Sequence, residues 1–357
     1  MDATRIAESL VAMQGRSLLV IGDVMLDRYI DGRVTRMSPE APVPVLEKSA
    51  ESDMPGGAAN VACNLAALGC DVRLLAVTGD DAAGDRLASL LGSNLAIDFA
   101  RICDPDRPTT RKTRFRSDGQ QVLRVDEELT ASVSDDVQAR LLDSVKSQLA
   151  TVNAVILSDY AKGGLPVSLM QQIIAAANDA GIPVIADPKQ SDFGSYAGAS
   201  LLTPNLAELR AAAGLVDDDL EAIANATSTL AATHSIDSIL ATLSARGMLL
   251  SDAAGDWQHA PAEAREVFDV SGAGDTVVAM LAACVAAGIA HQDALPLANL
   301  AAGVVVGKSG TAVASPGEII SAGMPGAITT SWADAADACE AWRKSGQLVG
   351  FTNGCFD

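Results

Sequence analysis

Two hydrophobic rhythms alternate along the chain. Short aliphatic runs at Ser17–Gly22, 72–77, 154–157, 182–186 and 239–243 have the length and lack of polar alternation of strands buried on both faces. Between them, residues 59–68, 81–91, 135–149, 166–180 and 206–213 have helical character. Strands separated by helices in this way predict a three-layer α/β/α fold on a mostly parallel sheet. Two stretches break the rhythm. Residues 27–47 are rich in charge and proline, and 109–126 alternates as TRKTRFR and then VLRVD. Alternation suits exposed antiparallel strands, so these stretches predict a small β-flap beside the main sheet.

The pattern changes again near residue 315. Pro316-Gly317, Gly323 and Pro325-Gly326 read as a connector, 331–345 as a helix, and 346–357 as a strand and glycine turn that open a further, truncated domain. The expected organisation is therefore one large α/β domain over 1–315, a linker and helix over 316–345, and the start of another domain. The longest uncharged apolar run, 276–290, falls short of the ~18 residues that span a bilayer and predicts a buried helix. Residues 1–5 lead into a helix-like stretch without the design of a signal peptide, which predicts a cytoplasmic chain.

Composition narrows the chemistry. A net charge of −20 argues against nucleic acid and anionic membranes as partners. The six cysteines form no C-x-x-C pair and no cluster with the three histidines, so a reduced protein without a metal centre of its own is expected.

The turn Asp269-Val270-Ser271-Gly272-Ala273-Gly274-Asp275 precedes the apolar run. Glycines there let the N–H groups of Gly272, Ala273, Gly274 and Asp275 converge at a helix N-terminus, an anion hole with a carboxylate beside it. Transfer of a phosphoryl group to a hydroxyl needs that pair: a cradle for phosphate oxygens and a base for the proton. Pro55-Gly56-Gly57-Ala58-Ala59-Asn60 would let a ligand approach the backbone closely, with Asn60 offering a donor and an acceptor to a sugar hydroxyl. Asp23 and Asp27 follow the first strand, where α/β sheets bind ligands; for Asp27 a turn-capping role is an equal alternative. Lys189, in Asp187-Pro188-Lys189, is a candidate phosphate partner. Asn205 and Glu208 are candidates for nucleotide phosphates or the water shell of Mg²⁺, although capping explains Asn205 alone. The flap cations, Arg111 and Lys112 among them, either hold a substrate phosphate or protect an edge strand.

With these motifs in place, the chain resembles the ribokinase (PfkB-type) sugar kinase family over about 17–311, through its Gly-Gly…Asn and Gly-Ala-Gly-Asp elements. It is most similar to the heptose-7-phosphate kinase branch, through GDVMLDRY (22–29), SPEAPVPV (38–45), LSDYAKG (157–163), LLTPN (201–205) and AAGVVVGK (301–308). FTNGCFD (351–357) resembles the opening of the nucleotidyltransferase domain fused to that kinase. The resemblance implies a ribokinase-like fold and ATP- and Mg²⁺-dependent phosphorylation of D-glycero-β-D-manno-heptose 7-phosphate at O1, a step toward ADP-heptose and the lipopolysaccharide core. It places the base at Asp275. Nucleotide contacts fall at Asn205, Leu206, Ala207, Glu208, Thr242, Ser244, Gly247 and Asn299. Substrate contacts fall at Asp23, Asp27, Gly56, Gly57, Asn60, Arg111, Lys112 and Lys189. A homodimer through the flap is implied as well. Val270 stands where many members carry Thr or Ser, so a hydroxyl contact is absent there. Adenylyl transfer needs a histidine-bearing motif beyond residue 357 and is not expected of this chain. The alternative is a kinase of the same family for another sugar. A dinucleotide-binding oxidoreductase is disfavoured, because Gly22-Asp23-Val24-Met25 is not a G-x-G-x-x-G turn.

Overall fold

The computed structural model describes residues 1–217, 219–262, 269–308 and 310–324, with residues 339 and 343. Helix α1 (Ala3–Met13) starts at Asp2, whose Oδ1 accepts the Arg5 N–H at 2.8 Å. Strand β1 (Ser17–Gly22) follows, and a single residue, Asp23, separates it from β2 (Val24–Met37). The chain returns along β3 (Pro44–Gly57) and passes without a gap into α2 (Ala58–Ala67). Next come β4 (Asp71–Thr78), α3 (Ala82–Leu91), β5 (Ile97–Cys103) and the hairpin β6 (Arg111–Ser117) and β7 (Gln120–Glu127). An α/β succession follows: α4 (Asp135–Gln148), β8 (Ala154–Ser158), α5 (Val167–Asp179), β9 (Val184–Asp187), β10 (Leu201–Leu202), α6 (Leu206–Ala213), α7 (Leu220–His234) and β11 (Ser238–Thr242). Strands β12 (Met248–Asp252) and β13 (Trp257–Ala260) then precede α8 (Ala273–Ala287), α9 (His291–Val305) and α10 (Pro316–Gly323).

Nine strands form one sheet in the order β13-β12-β11-β10-β9-β8-β1-β4-β5. All its pairs are parallel except β11–β12 and β12–β13. Alternate residues of each strand enter opposite cores, as the pleat requires. Leu18 and Val20 of β1 pack with α1, α2, α8 and α9, whereas Leu19 and Ile21 pack with α4, α5 and α7. Helix α8 is apolar nearly all round and is buried from Asp275 to Cys284, which fits its position within the first core. The order reverses between β1 and β8, so the carboxyl ends of β1, β8, β9, β10 and β11 frame one crevice.

The expected three-layer, mostly parallel architecture is present. The flap is a separate four-stranded sheet in the order β3-β2-β6-β7. It differs from the all-antiparallel expectation, because β2 and β6 pair in parallel. Its strands are also longer than the sequence suggests, since β2 and β3 stay paired from Val24 and Gly57 out to Met37 and Pro44 through two register shifts. The connector expected at 316–323 is helix α10. Ser315 and Glu318 form a capping box there, and Ile319 is buried. The helix expected over 331–345 and the domain start over 346–357 lie outside the described residues, apart from 339 and 343. No described helix is long and apolar enough to cross a membrane.

Candidate active site

The glycine turn ends at the N-terminus of α8. Gly272 adopts φ +78°, a region that a side chain penalises, and a Cβ there would lie 2.7 Å from Asn60 Nδ2. Asp269 braces the turn by accepting the N–H groups of Ser271 and Gly310, each at 2.9 Å. Burial pushes its carboxyl up, but these donors hold it below the usual carboxylate range. Of the four N–H groups expected to form the anion hole, that of Ala273 donates to the Val270 carbonyl at 3.3 Å, whereas those of Gly272, Gly274 and Asp275 donate to no group among the described residues; a Cβ on Gly274 would meet nothing within 4 Å. The result is a set of free donors at the positive end of a helix, facing open space.

Asp275, one residue further on, is only 5% exposed. Its Oδ2 accepts Asn60 Nδ2 at 2.6 Å, and its Oδ1 accepts the Tyr160 hydroxyl. Asn60 is held by the close packing of α2 against α8, where Thr276 Oγ1 donates to Asn64 Oδ1 at 3.0 Å. Burial pushes the Asp275 carboxyl up from 3.8 to about 6, and the hydrogen bonds from Tyr160 and Asn60 oppose that rise. Such a group is ionised at neutral pH yet basic enough to take a proton.

A cleft of about 200 Å³ runs from Asp275 and Gly274 past Asp187 and Lys189 to Asn205 and Thr242. Each of these follows the carboxyl end of a strand or the start of a helix. Asn205 caps α6 through bonds of 2.9 and 3.0 Å to the N–H groups of Ala207 and Glu208, and Glu208 Oε2 returns to the Asn205 N–H at 2.9 Å. Glu208 Oε1 meets Lys189 Nζ at 2.8 Å, a contact that raises the lysine's pKa. Asp187 accepts from Thr203 Oγ1 at 3.2 Å. Burial and the neighbouring charges of Asp275 and Glu208 push its carboxyl well up. Leu206 and Ala207 form the first turn of α6, and Ser244 and Gly247 form a tight turn behind Thr242. Asn299 lies elsewhere: its Nδ2 donates to the Pro261 carbonyl at 2.9 Å, beside a different cavity.

The flap covers the other side of the acid. The register of β2 with β6 sets Asp27, Tyr29 and Asp31 beside Lys112, Arg114 and Arg116. Asp27 pairs with Arg114, and Asp31 with Arg116 at 2.8 Å. The Tyr29 ring has both guanidinium groups against it, at 5.4 and 4.6 Å from its centroid. Arg111 pairs with Glu127, away from this row. Lys112 has no hydrogen-bond or ion-pair partner among the described residues, and burial lowers its pKa. Gly56 lies against Asp27 and Gly57 (φ +60°) against the Asp23 carbonyl, so neither position has room for a Cβ.

Asp23 faces inward. Its carboxylate accepts the backbone N–H groups of Tyr160, Lys162 and Gly164 at 3.0, 2.9 and 3.0 Å. Burial raises its pKa and these three donors oppose the rise. The structure thus gathers Asp275, Asn60, Gly57, Gly272 and Gly274 at one point, with Asp27 and Lys112 above it and Lys189, Asn205, Glu208 and Thr242 along the cleft. Tyr160 was not singled out from the sequence. It lies within LSDYAKG, and its position just past a buried strand was the available signal.

Residues 16–317 match the pfkB family carbohydrate kinases. The chain is 44% identical over its whole length to the bifunctional protein HldE of Paramagnetospirillum magneticum, spanning 74% of that relative. It is 45% identical to the Azorhizobium caulinodans protein of the same name over 95% of this chain and 72% of that one. Among solved structures, Arabidopsis thaliana ribokinase complexed with ribose and ATP superposes with a TM-score of 0.69 at 23% identity, covering 87% of this chain and 99% of that one. Escherichia coli phosphofructokinase-2 with substrates and products gives 0.72 at 20% identity, over 86% of this chain and 98% of that one.

Proposed function

The chain belongs to the pfkB family of carbohydrate kinases, and from that premise we propose that it phosphorylates D-glycero-β-D-manno-heptose 7-phosphate at O1, yielding the 1,7-bisphosphate. It is an ATP-dependent sugar kinase; the particular sugar is the inference. The observation that carries the chemistry is the buried Asp275 carboxylate, held by two neutral donors beside unpartnered N–H groups. The heptose assignment is supported by the shared strings from GDVMLDRY to AAGVVVGK and by the relatives named above.

The sugar lies between Asn60 and the flap, with its anomeric hydroxyl toward Asp275. As the sugar oxygen bonds to the γ-phosphorus and the bond to ADP breaks, Asp275 takes the hydroxyl proton. The N–H groups of Gly272, Gly274 and Asp275 hold the phosphoryl oxygens. Lys112, a flap cation close enough to act on Asp275, would hold the substrate's own phosphate. The hard oxygens of Asp187, Asn205 and Glu208 fit Mg²⁺ held through phosphate and water better than within an all-protein cage. When bound, the ion would offset negative charge on the phosphates and the carboxylate charges of Asp275 and Glu208, which add to burial in raising Asp187.

A homodimer through the flap completes the proposal. Edge strand β7 is exposed along its whole length, with Val122, Leu123 and Val125 at 47%, 56% and 42%. Sedimentation should show a dimer that Leu123→Lys weakens. Mass spectrometry of the product formed from ATP and heptose 7-phosphate tests the reaction, and a sugar panel with ADP-release detection tests the choice of sugar. A faster turnover of another sugar would overturn the heptose assignment.

A further inference from the structure

We propose that Tyr160 is the positioning residue that sets the proton affinity and orientation of Asp275, and that Asp23 acts through it. This inference rests on Asp275 being the base of the kinase reaction. Two independent features place the Tyr160 hydroxyl where it is. Its peptide N–H is one of three that converge on the Asp23 carboxylate, which pins the loop from Tyr160 to Gly164 to the end of β1. The same loop holds Ala161 at φ +53°, a conformation that a residue with a side chain keeps only where surrounding contacts enforce it. The hydroxyl then donates to Asp275 Oδ1 while Asn60 holds Oδ2.

Both donors are neutral, and the phenol does not lose its proton in the working range. Burial, and then the charges of Asp275 and Asp187, push its pKa well up. Tyr160 is therefore a permanent donor whose bond is stronger to the ionised base than to its protonated form. The other charged groups felt by Asp275 are Asp27 and Lys112 from the flap and Asp187 from β9. Asp27 disfavours ionisation and Lys112 favours it, so neither duplicates the direct bond from the phenol. Without that bond, burial would leave the carboxyl protonated through more of the neutral range.

The test is the pH dependence of kcat/KM, which reports the base in the free enzyme. It is measured with whichever sugar of the panel the wild-type protein phosphorylates fastest, so a wrong sugar assignment leaves it intact. Tyr160→Phe should move the acidic limb up by about one unit, a roughly fivefold loss near pH 6 that approaches tenfold at lower pH and largely recovers in alkali. Fluorotyrosine at position 160, a stronger donor of nearly the same shape, should move the limb down. The affinity for Mg²⁺-ATP should stay unchanged in both. Limbs that coincide with wild type, or a loss that is equal at every pH, would overturn the inference. If Tyr160→Phe does not fold, the fluorotyrosine protein alone decides. Absence of turnover by wild type on every sugar would overturn the kinase assignment instead.

Discussion

The two sheets of this protein follow opposite rules. Strands of the nine-stranded sheet such as β1 and β8 are buried and carry no charge, and their chemistry is confined to the residue or two past each carboxyl end. The flap carries its charges along the strands, where Asp27–Arg114, Asp31–Arg116, Arg111–Glu127 and Arg124–Asp126 pair across or along them. The first arrangement fixes a few groups rigidly in a dry setting, as bond-making demands. The second presents a polar face whose charges are mostly matched internally, and on it Lys112 is a half-buried cation with no described partner that lies close enough to act on Asp275. Changes at the sheet edge should therefore alter kcat, and changes on the flap should alter KM.

The largest test of that division is Asp275→Asn, for which steady-state assays should give a kcat lower by about 10²–10⁴. The same variant should be more stable than wild type above pH 6, by about 3 kcal/mol for a shift of roughly two units. The sign follows from the raised pKa. The folded state binds the Asp275 proton more tightly than the unfolded state, so wild type loses stability as pH rises from about 4 to about 6. Denaturant melts of both proteins across that window should converge below pH 4.

Gly272→Ala comes next. The positive φ and the encounter with Asn60 should lower kcat about 10–100-fold and cost about 1–2 kcal/mol in thermal melts. Lys112→Ala should raise KM for a phosphorylated sugar about tenfold with kcat and the KM for ATP unchanged. A fall in kcat alone would break the division between the sheets. The smallest effect belongs to Arg124→Ala, whose half-exposed pair with Asp126 should contribute no more than about 1 kcal/mol and nothing to rate.

The sequence reveals the sheet edge well because the causes are local. A short aliphatic run between turn signals marks a buried strand, a longer one such as 276–290 a buried helix, and glycines ahead of an apolar helix mark an anion-binding turn. Strand β10, with two residues, is too short to leave a periodic trace, and the antiparallel β12 and β13 resemble any half-exposed hairpin. The contact of Tyr160 with Asp275 joins residues 115 positions apart, and a lone tyrosine in a loop announces no partner. Asp23 shows the converse. Its position past β1 was evident, but the direction of its carboxylate depends on the loop after β8, which no local pattern encodes. Capping likewise remained a rival reading for Asn205, and the structure shows both the cap and the cleft at that residue.

Two of the four connections between the four-stranded sheet and the main body have no slack. One is the single residue between β1 and β2, and the other is the direct passage from β3 into α2. They lie side by side, with the Ala58 N–H donating to the Asp23 carbonyl at 3.0 Å. Any rocking of the hairpin must therefore twist the Asp23 peptide, whose side chain grips the loop that carries Tyr160. A lever so short makes the posture of the cover and the readiness of the acid a single mechanical variable, and one extra residue inserted at either joint would uncouple them.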